Sequence, residues 1–197
     1  MICKEIMRGQ DVGCLSPSRK YFQQLVLVNR NSVDEVAYDV NDANHAILFN
    51  LHEGDTGYRY IGNESASLYS ASFAKSDQRG QPLYTHSVSL PVVGATIESK
   101  LVLKGLDLAD YFAAIQFRDG TVEIYGFENG LTTRPYDYSV QNGMGGTQLT
   151  LSSRYPEEDI PYVYVGDGFD TLFADIPALL GGDFSNDFSN DFYIIEL

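Results

Sequence analysis

The sequence lacks tryptophan and contains only two cysteines, Cys3 and Cys14, among its 197 residues. Without tryptophan it lacks the aromatic side chain that most often forms a stacking face for a sugar. Two thiols near one end of the chain, in a reducing compartment, are expected to be free. Positive charge is also scarce, since 13 Lys and Arg stand against 27 Asp and Glu and the net charge is −14. We therefore do not expect tight binding of DNA or RNA, which needs a basic surface.

Long apolar runs are absent as well. The opening residues MICKEIMRGQDVGCLS contain no stretch of signal-peptide length, and no segment approaches the ~20 apolar residues of a transmembrane helix. We therefore expect synthesis in the cytosol and no membrane partner. Residues 63–65 match the glycosylation pattern, but without a secretory route the match is expected to be coincidental.

The sequence is rich in aromatic residues, with 14 Tyr and 11 Phe within a hydrophobic content of 44%. This content is enough for a packed core, and Tyr and Phe favour strands with a half-buried face. The length fits one domain with extended ends. We predict a mainly β fold with one flanking α-helix, divided into an N-terminal arm (1–20), a central domain (21–180) and an acidic C-terminal arm (181–197).

Apolar alternation and turn residues predict the strands. The clearest prediction is a hairpin, in which YFAAIQF and VEIY flank Asp119-Gly120, the strongest short-range hairpin signal. Within it Ala113, Ile115 and Phe117 are predicted to share one face. Other predicted elements are strands in 21–30, 46–51, 83–93, 148–152 and, after an acidic turn, 156–165, an exposed or edge hairpin at 57–74, and loops at 75–82 and 132–147.

One helix is predicted between residues 96 and 112. Ile97, Leu101, Leu108 and Phe112 recur there at helical spacing, which indicates one apolar face. Gly105 interrupts the segment, so the helix is expected in one piece or two.

The C-terminal part of the chain carries most of the negative charge. Residues 155–197 contain ten Asp or Glu and no Lys or Arg. They include the repeat DFSNDFSNDF (183–192), in which Phe184, Phe188 and Phe192 are four residues apart and would align on one helix face. An arm that docks on another surface, extended or helical, a solvated tail, and a C-terminal strand in FYIIEL are all compatible with this pattern.

Histidine is too rare to predict a metal or catalytic centre. His45 and His52, with Glu53 and Asp55 nearby, superficially resemble a metal cluster but lack the spacing of zinc ligands. His86 lies in an alternating strand, where it is expected to be packed or exposed and not catalytic.

The remaining polar motifs also fail to predict a site. The run Glu157–Asp159 is expected to face solvent on a turn. Residues 39–42 begin like a calcium loop but lack its glycine and closing glutamate, and NGMGG (142–146) lacks the lysine of a phosphate loop. We predict no catalytic, cofactor-binding or metal-binding residue and no enzymatic activity.

The order of elements in residues 83–165 is similar to that of a known family. The strand YTHSVSLPVVG is followed by a helical LVLKGLDLADYFAAIQF and the hairpin RDGTVEIYGFENGL. A Tyr-containing strand, a GG loop, LTLSSRYPEED and PYVY come next. This succession resembles the tail tube proteins of long-tailed bacteriophages, in particular those of phages that infect Bacteroidetes-type hosts. The resemblance lies in the order of elements and contains no catalytic signature.

The resemblance implies a β-sandwich or barrel in residues 21–180, assembled as a homohexameric ring. Rings would stack into a tube whose lumen conducts DNA without specific binding, inside a virion tail, with tape-measure and neck or baseplate proteins as partners. Terminal arms or a long hairpin would reach the next ring. In the hairpin, Ile115, Phe117, Val122 and Ile124 would be buried, while Gln116, Arg118 and Glu123 would meet the next subunit or the lumen.

Two other functions remain open at this point. The chain fits a different virion tail component on the same fold, such as a terminator, neck or baseplate protein. It also fits a carbohydrate-binding β-sandwich module, because of its tyrosines, Gly-rich loops and surface acids, although that class normally has tryptophan and an export signal.

Overall fold

A computed structural model describes eight stretches of the chain. They are residues 22–38, 45–61, 69–78, 80–93, 97–117, 119–141, 144–166 and 169–172. Several predictions lie outside the described residues: both arms with the two cysteines and the Asp-Phe repeat, the calcium-like turn at 39–42, the glycosylation pattern at 63–65, and Arg118.

The described residues form twelve strands and one α-helix, with 3-10 turns at Arg30–Ser32 and Phe169–Leu172. The helix, α1, is Ile97–Leu106. The strands are β1 (Phe22–Asn29), β2 (Val33–Tyr38), β3 (Ala46–Leu51), β4 (Tyr58–Ile61), β5 (Ser70–Gln78), β6 (Gln81–Val93), β7 (Tyr111–Phe117), β8 (Val122–Tyr125), β9 (Leu131–Thr133), β10 (Ser139–Gln141), β11 (Met144–Ser153) and β12 (Tyr162–Tyr164).

All twelve strands belong to one mixed sheet. Its main path runs β2-β3-β12-β8-β7-β9-β11-β6-β5, with β1 paired to β7, β4 paired to β1, and β10 paired to β11. The pairing of β12 with β3 is parallel and the others are antiparallel. Among the described residues the path does not close on itself, so β2 and β5 lie at its two ends. The predicted mainly β fold with one helix is confirmed.

Strand β7 is buried on both faces, which explains its nearly unbroken apolar sequence. Tyr111, Ala113, Ile115 and Phe117 contact one core cluster, while Phe112 and Ala114 contact a second, as the two-residue period of a strand requires. The first core cluster also contains Leu25, Leu27, Val88, Leu90, Leu103, Leu106, Leu149 and Leu151. The second contains Val26, Val28, Ile47, Phe49, Val122, Ile124, Tyr164 and Leu172. The two clusters thus lie on opposite sides of β1 and β7.

The predicted hairpin is confirmed, with β7 and β8 paired from Ala113↔Tyr125 to Gln116↔Val122. Gly120 has a φ of 85°, which glycine adopts without strain. The Asp119 carboxylate accepts a hydrogen bond from the backbone N–H of Thr121 at 2.9 Å, which stabilises the turn.

The predicted helix exists, but the apolar face assigned to it is wrong. Leu103 and Leu106 are buried against the first core cluster, whereas Ile97, Leu101 and Leu108 are exposed. Helix α1 ends at Leu106, where the N–H of Leu108 bonds to the carbonyl of Gly105 at 3.1 Å and tightens the last turn. Phe112 belongs to β7. Both faces of the helix are apolar, so spacing alone did not show which one faces the core.

The hairpin pairing predicted at 57–74 is wrong, although β5 lies at an edge as predicted, and most of the predicted loop at 75–82 is strand. Strand β4 pairs with β1, and β5 pairs with β6 through an unbroken register from Ser70↔Ser89 to Gln78↔Gln81. Gly80, at a φ of 82°, lies in the turn between β5 and β6. Pro82 had suggested a loop, but it lies two residues before Tyr84, whose backbone groups point away from β5. Backbone groups along a strand point to alternate sides, so Pro82, like Tyr84, is at a position that does not bond to β5. The N–H that proline lacks therefore costs no hydrogen bond to β5.

Three short or weakly patterned strands were not predicted from their own residues, although the resemblance implied one Tyr-containing strand after the hairpin. Strand β2 follows the 3-10 turn and pairs with β3. Strands β9 and β10 lie within the segment predicted as a loop, and each has three residues paired to β11. Such strands depend on a partner that is distant in sequence or on a short turn, so their own composition does not identify them.

Candidate functional site

The histidines considered as metal ligands are separated and engaged elsewhere. The His45 ring stacks on Tyr162 with ring centroids 4.5 Å apart, and its Nε2 lies 2.7 Å from the carbonyl oxygen of Ile160. His52 is exposed, with Nδ1 3.4 Å from the Asp34 carboxylate. Across the stretches that the structure describes, no three His, Cys, Asp or Glu side chains are grouped as a metal site.

Glu157 was predicted to face solvent, and this is wrong, since the residue is only 1% exposed. Its backbone N–H and C=O both bond to Tyr84 of β6, at 2.6 and 2.8 Å, which holds the turn against the sheet. Its carboxylate accepts the backbone N–H groups of Glu128 at 3.2 Å and Asn129 at 3.3 Å. Burial raises the pKa of Glu157 to about 7, and the charge of Glu128 adds to the increase, while the two N–H bonds oppose it.

A second pair of carboxylates meets the hydroxyl of Tyr162 beside this turn. The Tyr162 oxygen lies 2.8 Å from Glu128 Oε1 and 3.0 Å from Asp159 Oδ2, and its single proton is donated to one of them at a time. Burial, and then the bond to Glu128, raise the pKa of Tyr162 far above its usual range. We call Glu128, Glu157, Asp159 and Tyr162 the carboxylate turn. Its carboxylates are engaged by groups of the same chain, which indicates a structural role.

His86 locks the carboxylate turn to the β8–β9 connection. Its Nδ1 accepts the backbone N–H of Gly126 at 3.0 Å, so Nε2 carries the proton and donates to the carbonyl of Asp159 at 3.0 Å. Burial lowers the pKa of His86 to about 4. Both ring nitrogens are therefore occupied in a neutral ring. The residue is packed, one of the two placements predicted for it.

An open cleft of about 670 Å³ lies between the Arg30–Ser32 turn, the end of α1 and β9. Its charged groups are Arg30, Arg154, Asp107 and Asp110. Asp107 already accepts the hydroxyls of Thr133 at 2.7 Å and Tyr136 at 2.9 Å, and Arg30 Nε donates to the carbonyl of Phe127 at 3.1 Å. Small-molecule sites are mostly apolar and enclosed, so this polar and open cleft is a weak candidate.

Strand β5 is the strongest candidate for a functional surface. It has nine residues, a regular register with β6, no proline, and small side chains with one exposed ring, Phe73, which is 47% exposed. Among the described residues, no strand pairs with its outer side. Proteins usually protect such an edge with bulges, proline or lysine. The strand carries one lysine, Lys75, whose ammonium lies 3.3 Å from the Asp77 carboxylate.

The backbone groups that β5 presents outward can be identified. Tyr84 directs its N–H and C=O to Glu157, away from β5, so the Lys75↔Tyr84 pair exchanges no hydrogen bond. His86 likewise directs its N–H and C=O to the Ser153 hydroxyl, at 2.8 and 3.2 Å. The Phe73↔His86 pair therefore exchanges no hydrogen bond either. In an antiparallel ladder the backbone groups of such residues point away from the partner strand. Phe73 and Lys75 therefore offer donors and acceptors for an additional strand.

Side chains that the resemblance assigned to subunit contacts have partners within the chain. Gln116 accepts a hydrogen bond from Gln24 at 2.6 Å, and Gln24 accepts one from Arg59 at 2.8 Å. Glu123 accepts the Tyr125 hydroxyl at 2.9 Å. The residues predicted to be buried in the same hairpin, Ile115, Phe117, Val122 and Ile124, are buried.

Comparison with known proteins does not assign the chain to a family. No protein-family model matches the sequence, and no curated protein matches it. Among the residues described, no helix combines the length and apolar content that a membrane crossing requires. The class that the structure itself defines is a mainly β protein with an open sheet.

Proposed function

We propose that the chain is a structural subunit of a phage tail tube, which forms homohexameric rings that stack into a tube and conduct DNA during ejection. The observation that carries this proposal is the outer side of β5, a long regular strand whose main-chain groups at Phe73 and Lys75 have no partner strand among the described residues. An added strand satisfies such groups and gives affinity through backbone hydrogen bonds.

The two ends of the sheet support a ring. Strand β2, at the far end, pairs with β3 alone among the described residues. If β5 of one copy lies beside β2 of the next, the contact is head-to-tail, and such contacts close into a ring at a suitable rotation. Closure removes free edges and would join the subunits in a barrel around a lumen. A β-sandwich in the isolated copy, which the resemblance implies, is part of this proposal.

The charge of the chain suits a DNA conduit. A net charge of −14 repels a polyanion, so a wall of such subunits would let DNA pass without binding it. In this account the protein resides in the virion tail, with tape-measure and neck or baseplate proteins as its other partners. The charge and the open edge equally suit another tail component, such as a terminator.

A carbohydrate-binding module is the second candidate, and the polar cleft beside Arg30 and Asp107 is the observation that favours it. The two functions are distinguished with purified full chain. Negative-stain microscopy and light scattering should show rings or tubes for a tail tube subunit. A monomer at high concentration that binds a glycan array would instead support the module.

A further inference from the structure

Helix α1 has a second apolar face, which points to solvent. Ile97, Leu101 and Leu108 are 76%, 60% and 77% exposed, while Leu103 and Leu106 are buried on the other side. Because a residue advances about 100° around a helix, Ile97 and Leu101 are about 40° apart on α1. Leu108 lies in the turn that follows the helix and is exposed as well. A surface helix normally has one apolar face. The apolar face of α1 that points to solvent is therefore not explained by packing against the core.

Two lysines lie along one side of this face. Lys100 and Lys104 are exposed, four residues apart, and within the described residues neither ammonium group forms an ion pair. They are two of only 13 Lys and Arg in a chain with 27 Asp and Glu. We define Ile97, Leu101 and Leu108, with these two lysines, as the α1 stripe.

The chain contains a segment of matching chemistry. In residues 183–192, Phe184, Phe188 and Phe192 recur every four residues, and each follows an aspartate. If this segment is helical, its three rings lie along one face with aspartates beside them. In the α1 stripe Ile97 and Leu101 are four residues apart, Leu108 follows seven residues later, and the two lysines are four residues apart and carry the opposite charge.

The position of each partner favours a contact between copies. The described chain ends at Leu172, which belongs to the second core cluster. The α1 stripe lies on the helix that covers the first core cluster, on the opposite side of β1 and β7. A segment that leaves one side of a subunit and binds the other side of the next produces a repeating head-to-tail contact.

We propose that the α1 stripe binds residues 183–192 of a neighbouring copy and so links successive rings. This inference rests on the proposed function, since it assumes that copies stack. The rings of Phe184, Phe188 and Phe192 pack on Leu101 and its neighbours, and the aspartates pair with Lys100 and Lys104. The mode is an amphipathic helix on an apolar surface.

The direct test is the binding of a fluorescent peptide of residues 183–192 to the full chain, measured by anisotropy. The receptor carries Phe184→Ser, Phe188→Ser and Phe192→Ser, so that its own segment does not compete. We expect saturable binding that Leu101→Ser weakens at least tenfold. Lys100→Gln with Lys104→Gln should weaken it and reduce its dependence on salt. Val165→Ser, which changes an apolar residue that is 59% exposed after β12, is the matched control and should bind like the receptor.

The absence of saturable binding, or equal binding by the Leu101→Ser chain, would overturn the proposal. A cross-linking arm tests the neighbouring copy: with Cys3→Ser and Cys14→Ser in all chains, Leu101→Cys and Phe188→Cys are placed on separate chains of different mass. We expect a mixed disulfide dimer when the two are combined. If both substitutions on one chain instead give a cross-linked monomer and the mixture gives no dimer, the contact lies within one copy.

The peptide assay does not require that subunits assemble into rings, so the two proposals can fail separately. Peptide binding without rings or tubes in the microscope would retain the docking site and reject the tail tube. Stacked rings without peptide binding would retain the tail tube and reject the α1 stripe as the linking surface.

Discussion

At the scale of single residues, two buried ionisable groups at the carboxylate turn both favour their neutral forms, but one is neutral when protonated and the other when deprotonated. The Glu157 carboxyl favours its neutral, protonated form, since its pKa is raised to about 7 by burial. The His86 ring favours its neutral, deprotonated form, since its pKa is lowered to about 4. Each is fixed by hydrogen bonds to backbone groups, at Glu128 and Asn129 for the carboxyl and at Gly126 and Asp159 for the ring.

These preferences predict opposite effects of pH on stability. The contribution of Glu157 is present below its ordinary pKa of 4.5 and is lost as the pH rises towards 7. The contribution of His86 is present above its ordinary pKa of 6.5 and is lost as the pH falls towards 4. The two partly cancel between pH 4.5 and 6.5, so the wild-type stability should change little there on their account.

Glu157→Gln removes one of the two effects. The unfolding free energy of the wild type minus that of the variant should fall by on the order of 2 kcal/mol between pH 4.5 and 7, since one pKa unit is worth about 1.4 kcal/mol and solvent screening reduces the total. Urea unfolding at several pH values measures this difference. Glu158→Gln, which changes the exposed neighbour, is the control. Parallel pH profiles for Glu157→Gln and the wild type would contradict the assignment.

Gly126 is predicted to be intolerant of a side chain. Its φ is 71°, where a Cβ is strained by about 1–2 kcal/mol, and an added Cβ would overlap the Leu131 side chain in the core. Gly126→Ala should therefore lower the unfolding free energy by roughly 3 kcal/mol. Gly105→Ala, on α1, is the matched control, because a Cβ at this position meets no atom within 4 Å. This substitution should stabilise the helix by about 0.5–1 kcal/mol. Equal effects of the two substitutions would refute this reading of Gly126.

At the scale of elements, the sequence predicts what depends on local chemistry. Asp119-Gly120 specifies a turn by itself, and the hairpin around it is present as predicted. The role of Glu157 was missed, because it depends on a bridge to Tyr84, 73 residues earlier, that no local pattern shows. The edge position of residues 70–74 was predicted from their composition, but the continuation of β5 to Gln78 and its pairing with β6 were missed, because they depend on a partner strand. The presence of Pro82 suggested a loop, but Pro82 lies in β6 at a position where a backbone N–H would not bond to β5.

The two apolar faces of α1 give an element-scale prediction. Leu103→Ala should lower the unfolding free energy by about 2–5 kcal/mol, because Leu103 is buried in the first core cluster. Leu101→Ala, on the exposed face, should change it by less than about 0.5 kcal/mol in the monomer. Chemical denaturation of both variants measures the contrast. A larger effect at Leu101 would reverse the assignment of the faces.

At the scale of the whole molecule, the sheet is open among the described residues. The core is complete within one copy, since both clusters are buried without a partner chain. The backbone hydrogen bonding of β5 is incomplete among the described residues, because its outer side has no neighbouring strand. A subunit whose core is buried and whose edge strand is unpaired is suited to assembly by strand addition.

One substitution separates the open edge from the fold. Lys75→Pro removes a backbone N–H that points away from β6, so the pairing of β5 with β6 keeps its hydrogen bonds. Lys75→Ala removes the same charged side chain but retains the N–H. Both variants should keep the circular dichroism spectrum of the wild type.

The decisive measurement is negative-stain microscopy of the wild type and these two variants at equal concentration. We expect rings or tubes for the wild type and Lys75→Ala, and folded monomers for Lys75→Pro. Rings formed by the Lys75→Pro chain, or a wild type that stays monomeric at high concentration, would contradict it.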